Sequence, residues 1–321
     1  MKKLFFLLII IFFINSCGNR FKVDISDIEP QELKIMRYEK ALFEKALDEE
    51  RIGELQKEYP LFLGDVPLDS IQILQLKAYV NDPILKDLYH KTTEVFPDME
   101  QEEKDLVLAF RYLKKYYPKS QTPQIYTYLS GVHDEMFYQD QILMISIDQY
   151  LGNNYEIYQK LGIPRYKQYY KTKEYLSKDV LMSVAKKYVP LIPSDANLLD
   201  QMLYEAKLLY FIKSMIPDIE DKVLFAQTEQ HLEWLENHEA DLWRYYIEND
   251  LLFKSDHLAY NKFINDTPFT AILGDDSAPR TGIWLGYHII SSYVAHTKTE
   301  LVEMLNDSHA QQILQKSKYK P

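Results

Sequence analysis

The stretch from Asp195 to Met215, enclosed by Pro193 and Pro217, constrains the fold more than any other. Leu198, Leu199, Met202, Leu203, Ala206, Leu209 and Tyr210 recur there at helical spacing. They predict a helix with one broad apolar side, bounded by residues that cannot continue it. Such a helix needs covering, and the rest of the chain can supply the cover. Of 321 residues, 46% are apolar, and 26 tyrosines, 15 phenylalanines and three tryptophans are among them. Only nine residues are glycine, too few for a turn-rich sandwich or propeller.

Further helices are expected from about Glu39 to Tyr59, Ser70 to Val80, and Asp82-Pro83 to Glu94, where aspartate caps and proline opens the first turn. Another starts at Pro97-Asp98, with Gln101 at a capping-box position and a stripe of Leu106, Ala109, Phe110 and Leu113. Later ones run from about Lys222 to Leu235, Glu239 to Glu248, Trp284 to Ala295 and His309 to Gln315. Lys34 to Tyr38, Ile125 to Leu129 and Gln141 to Ile147 read as strands, the last two separated by a polar stretch with Gly131. The expected class is α+β, predominantly helical, with a small β-sheet packed among helices.

The N-terminus speaks about location. Lys2 and Lys3 precede an unbroken apolar run, Leu4 to Ile14, which is too short to span a bilayer but has the size of a secretory signal core. Ile14-Asn15-Ser16-Cys17 follows, and it resembles a bacterial lipobox. Cys17 is the chain's one cysteine, so it is the one thiol able to accept a diacylglycerol, and a single cysteine excludes an intramolecular disulfide and a multi-cysteine zinc site. The expected organisation is a signal peptide (1–16), a lipidated tether (17–30) and one mainly helical domain (31–321). Anchoring should place that domain at the cell membrane, facing the periplasm. Losing Lys2 and Lys3 takes the formal charge from −11 to −13, which argues against nucleic acid as a partner.

Sequence motifs for catalysis are incomplete. His238-Glu239-Ala240-Asp241-Leu242 approaches the zinc-peptidase His-Glu-x-x-His, but leucine stands at the second histidine. His231 and His238, seven apart, can share a helical face, as can His238 and Asp241; His288 and His296 read as core or interface histidines. There is no Gly-x-Ser-x-Gly elbow and no Walker or dinucleotide glycine pattern, so no cofactor is expected. Glu205 follows an apolar patch and reads as a local partner near Lys207, as part of a solvated face, or as a site acid. Gly282 and Gly286, i and i+4 around Trp284, leave two bare spots for another backbone inside the core or on a partner, and Arg280 could pair with a buried carboxylate.

Several segments carry a family resemblance: Tyr59 to Phe62, Ser146 to Gly152, Leu198 to Phe211, Pro279 to Tyr287, and the closing Ser317-Lys318-Tyr319-Lys320-Pro321. Together they resemble the gliding-motility-associated lipoproteins of the GldB family of Bacteroidetes. Ala206 stands where glycine is expected, and Pro279-Arg280-Thr281-Gly282 replaces a glycine-arginine-isoleucine-glycine. The resemblance implies a non-enzymatic, membrane-anchored component of the gliding apparatus and its type IX secretion machinery, with protein partners there. It also implies a distant likeness to zinc metallopeptidases of the gluzincin kind, in which Glu205 falls near the third metal ligand. The preceding segment, Asp179 to Tyr188, holds no histidine, so the scaffold would be a degenerate, gluzincin-like one without its metal. An envelope hydrolase using Glu205, His231 and His238 is the alternative.

Overall fold

A computed structural model describes residues 20–133, 136–255 and 257–321. Helix makes up 57% of it, and a four-stranded mixed sheet lies among sixteen α-helices of the described residues. The class is α+β and mainly helical, as the residue pattern predicts.

The strands are β1 (Ile35–Arg37), β2 (Gln124–Tyr128), β3 (Met136–Gln139) and β4 (Ile142–Ser146), in the spatial order β1-β2-β4-β3. β1, β2 and β4 run parallel, with Ile35 opposite Ile125 and Ile125 opposite Leu143; β3 returns antiparallel to β4. Alternation buries Ile125, Thr127, Leu143 and Ile145 on the covered face. Thr127 brings a hydroxyl into that layer and donates it to Glu39 (2.7 Å), whose other oxygen accepts from Arg37 Nε at 2.8 Å. The buried carboxylate is therefore paired on both oxygens.

β3 departs from the residue pattern. It lies inside the stretch that reads as polar, and it hairpins into β4 through Asp140 and Gln141, both at positive φ (49° and 65°). That is the backbone of a two-residue primed turn, made here without the glycine or asparagine that announces one.

The central helix is Leu198–Met215. Asn197 and Asp200 close a reciprocal capping box, each side chain accepting from the other's backbone N–H at 3.1 and 3.0 Å. It is wider in its burial than a single apolar side, since Lys207, Leu208, Phe211, Ile212 and Ser214 are buried along with the expected stripe. The glycine helix, Thr281–Thr297, crosses it at its bare spots.

Several helix boundaries differ from the periodicity. The expected helix from Glu39 to Tyr59 is two, Tyr38–Phe43 and Glu49–Glu58, because Asp48 turns its carboxylate onto Arg51 N (2.8 Å) and starts a new one. Lys222 to Leu235 also divides. Asp221–Leu224 ends before Ala226, which sits at φ 45°, and Thr228 caps His231 N to begin a single helix, Glu229–Glu248. The helix after Pro97 is Glu100–Tyr116, without the capping box: Asp98 accepts from Glu100 N, and Gln101 donates to Asp105. Its stripe Leu106, Ala109, Phe110 and Leu113 is buried.

Candidate functional site

Cys17 lies outside the described residues. The chain from Arg20 onward, read as tether, lies against the body. Arg20 Nη1 donates to Ser291 O at 3.2 Å, and Phe21 is buried with its ring 4.9 Å from that of Tyr210. Lys22 pairs with Asp218 at 2.6 Å, and Arg111 gathers the carbonyls of Ile25 and Ile28.

Elsewhere on the body a cleft of about 580 Å³ opens. Its walls come from the loop after β2 (Val132, His133), the segment after β4 (Gln149, Tyr150), residues 162–186, Ala226, Asp266 and Arg280. Five of its side chains are cationic, Lys167, Lys171, Lys178, Lys186 and Arg280, against two carboxylates, Asp179 and Asp266. In a chain of net charge −11 this local excess is the reverse of the whole.

Glu205 is held close to those charges. Burial pushes its carboxyl pKa up, and Lys186, Arg280 and Lys178 pull it back by favouring the carboxylate. The local pairing with Lys207 does not form. Residues two apart on a helix point away from each other, and Lys207 instead donates to Asp307 O at 2.5 Å. On the short helix Leu176–Ala185 and the residue capping it, Met182, Ser183 and Lys186 line the cleft at the spacing i, i+1, i+4. A gluzincin-like scaffold would carry His-Glu-x-x-His at that spacing; a thioether, a hydroxyl and an ammonium offer no equivalent ligand set.

Two rigid devices shape the cleft. Arg280, at φ 56°, fans its Nη2 onto Phe225 O (2.7 Å) and Ala226 O, and its guanidinium lies 5.8 Å from the Tyr170 ring. The expected carboxylate partner is thus replaced by two carbonyls, while its Nε is buried without a hydrogen-bond partner among the described residues. Asp148 is the second device, fully buried. It accepts from Val132 N (2.8 Å), Ser130 N (3.1 Å) and Ser146 Oγ (2.6 Å), which fixes the turn through Gly131 and sets His133 at the rim. Burial pushes its pKa up, opposed by those same hydrogen bonds. Deeper in, Tyr150 donates to Asp179 at 3.1 Å, and Lys178 pairs with the other oxygen of Asp179 at 3.1 Å.

The remaining candidates have local occupations. His231 Nδ1 lies 3.1 Å from Gln227 Oε1, and burial, then Arg280, push its pKa down. His238 stacks on Trp234 at 4.4 Å with Nδ1 2.7 Å from that residue's carbonyl, and Asp241 pairs with Arg244 at 3.0 Å. Trp284 donates to Glu239 at 3.2 Å, which also accepts from Tyr319. His288 is half-buried with Nδ1 3.6 Å from Glu239 Oε1, whereas the His296 ring reaches only its own helix, at Ser292. Among the described residues, no three His, Cys, Asp or Glu side chains come together as a metal site. Gly282 and Gly286 both face Met202 of the central helix.

The lysines that converge on the cleft belong to no catalytic or ligand motif, although the sequence holds a signal for them. Residues 165–187 hold seven basic and two acidic side chains, a local inversion of an acidic chain.

A family model described as Gliding motility protein GldB matches residues 18–321. The chain belongs to the GldB family. The family model is a lipoprotein one, so the protein is a gliding-motility lipoprotein by family. No helix among the described residues is long and apolar enough to cross a membrane. No curated protein and no solved structure matches the chain.

Proposed function

We propose that this chain is a lipid-anchored, non-enzymatic component of the gliding apparatus, held at the periplasmic face of the cell membrane. Its role is to assemble or stabilise the associated type IX secretion machinery. The observation that carries this reading is the family match, which starts at residue 18, directly after Cys17. The docked segment supports it. Two residues separate Cys17 from Arg20, three chain steps with a reach of about 11 Å at most, so lipid on Cys17 would hold the body close against the bilayer. A short link of this kind suits a part that keeps membrane-embedded neighbours in place.

The test is depletion of the protein in its own cells, scored for surface spreading and for secreted protein. Loss of both, restored by the wild-type gene and not by Cys17→Ala, is the expected result. Normal gliding and secretion after depletion would overturn the assignment. Membrane fractionation provides a separate check on the anchor: Cys17→Ala should move the chain out of the salt-washed membrane pellet or leave it unprocessed.

A further inference from the structure

We propose that the cationic cleft is a docking site for an acidic, extended peptide segment of a protein partner. This extends the assembly role, but the binding it asserts can be measured without any motility readout.

The charge is the first argument. Among the described residues, Lys167 and Lys186 are exposed and carry no ion pair, while Lys171 and Lys178 add partly engaged ammonium groups. Positive charge gathered in a recess of an acidic protein attracts anionic ligands and rejects cationic ones. Glu205 does not cancel it, because a single half-buried carboxylate stands near Lys186, Arg280 and Lys178 together.

The kind of anion follows from the donors. Compact phosphate recognition is served best by a free guanidinium fork. Arg280 has committed Nη2 to Phe225 O and Ala226 O, and both two-nitrogen edges of the guanidinium need Nη2, so Nη1 is left as a single donor rather than a fork. What remains is a set of ammonium point charges on flexible stems, distributed between apolar and aromatic walls that include Met136, Ile163, Tyr170 and Met182. At about 580 Å³ the recess has room for several side chains. Dispersed ammonium groups between apolar walls fit spaced carboxylates on an amphipathic segment better than one dense phosphate.

The orphaned Arg280 Nε–H and the positive φ of both Ala226 and Arg280 show that this wall is built at a conformational cost. Arg280 is a positioning residue here: it locks the loop at residues 225–226 against the start of the glycine helix, and the lysines make the contact.

The experiment uses the full mature chain in detergent. A fluorescein-labelled ten-residue peptide of alternating glutamate and tyrosine is titrated by anisotropy, with the lysine-tyrosine counterpart as control. The acidic peptide should bind, weakening at least fivefold between 50 and 500 mM salt, and the basic one should not. Lys167→Glu/Lys186→Glu should weaken binding tenfold or more, whereas Lys104→Glu, away from the cleft, should change it less than twofold. If the double reversal disturbs the thermal unfolding curve, Lys167→Gln/Lys186→Gln replaces it, with at least a threefold loss expected. No binding of the acidic peptide, or binding that ignores both double variants, overturns the proposal. Displacement of the peptide by inorganic phosphate or tripolyphosphate at equal charge also overturns it, in favour of a small-anion site. Motility of a depleted strain tests the assembly role separately, so the two can fail independently.

Discussion

Replacing Gly286 by alanine tests the packing of the two helices at the centre of the molecule. A Cβ built there would stand 2.4 Å from Met202 O, 2.8 Å from Met202 C and 3.2 Å from Met202 Cβ. Two of those atoms are backbone of the central helix, so no rotamer change relieves the overlap. Ordinary contact begins near 3.4 Å, and the helices would have to part by roughly 1 Å. Leu285, Ile289 and Ile290 on one helix and Met202, Leu203 and Ala206 on the other are all buried, so that parting loosens the main core. Overpacking of this kind costs about 1–3 kcal/mol, and often more when backbone is the obstacle. Against it stands the gain of up to about 1 kcal/mol from exchanging glycine for alanine inside a helix. The expected net effect is a loss of about 2 kcal/mol, read from urea unfolding with an unchanged slope. Gly53 supplies the control. It lies within the helix Glu49–Glu58 with nothing inside 4 Å of the place an added methyl would take, so Gly53→Ala should stabilise by about 0.5–1 kcal/mol. A Gly286→Ala protein as stable as the wild type would refute the close-packing account.

Three other substitutions probe buried polar groups. Burial lowers the pKa of Lys207 to about 8, so between pH 8 and 10.5 the unfolded chain holds more protons there than the folded one, and stability rises with pH across that window. Lys207→Met should therefore gain on the wild type at pH 7, by at most about 3 kcal/mol, with the difference shrinking to its smallest by pH 10.5; a pH-independent difference in urea titrations would contradict this. Tyr319 donates to Glu239 at 2.5 Å, and Tyr319→Phe should cost about 1.5–3 kcal/mol in the same assay, the range for a hydrogen bond to a charged group. Asp148→Ala removes the acceptor that Ser130 N, Val132 N and Ser146 Oγ share, which should cost about 2–4 kcal/mol and raise amide exchange at Val132 above that at Ile125; unchanged protection would count against Asp148 as the anchor of that turn.

The sequence is most informative where local and tertiary forces agree. Leu198 to Met215 lies between prolines, carries a capping residue and is buried, and each property reports the same helix. Asp82 and Pro83 open their helix as the residue types require, with Asp82 accepting from Ile84 N and Leu85 N. Legibility fails where backbone geometry departs from the residues that usually signal it. Asp140, Gln141 and Ala226 take positive φ without being glycine, so the hairpin at β3 and the break after Leu224 leave little trace in the residue pattern. The site is less legible still. Lysines within residues 165–187 can be counted from sequence, but their union with Val132, Ala226 and Arg280 is made by the fold alone. Glu205 shows the difference in one residue: its neighbours in sequence suggest Lys207, and its neighbours in space are Lys178, Lys186 and Arg280.

The central helix also relates the anchor to the cleft. Phe21 packs on Tyr210, and Glu205 stands near Lys186, Arg280 and Lys178 of the cleft wall. Five residues at about 100° each put those two positions about 140° apart around the helix, and roughly 7.5 Å apart along it. Phe21 therefore reaches the central helix on a different face from the one that carries Glu205. Lipid on Cys17, as proposed, would hold that first face towards the bilayer. A flexible insertion between Asn19 and Arg20 would leave the cleft intact and remove this fixed orientation. Acidic-peptide binding should then persist while gliding falls. An insertion that left gliding at its wild-type level would show that the body's position over the membrane plays no part in its role.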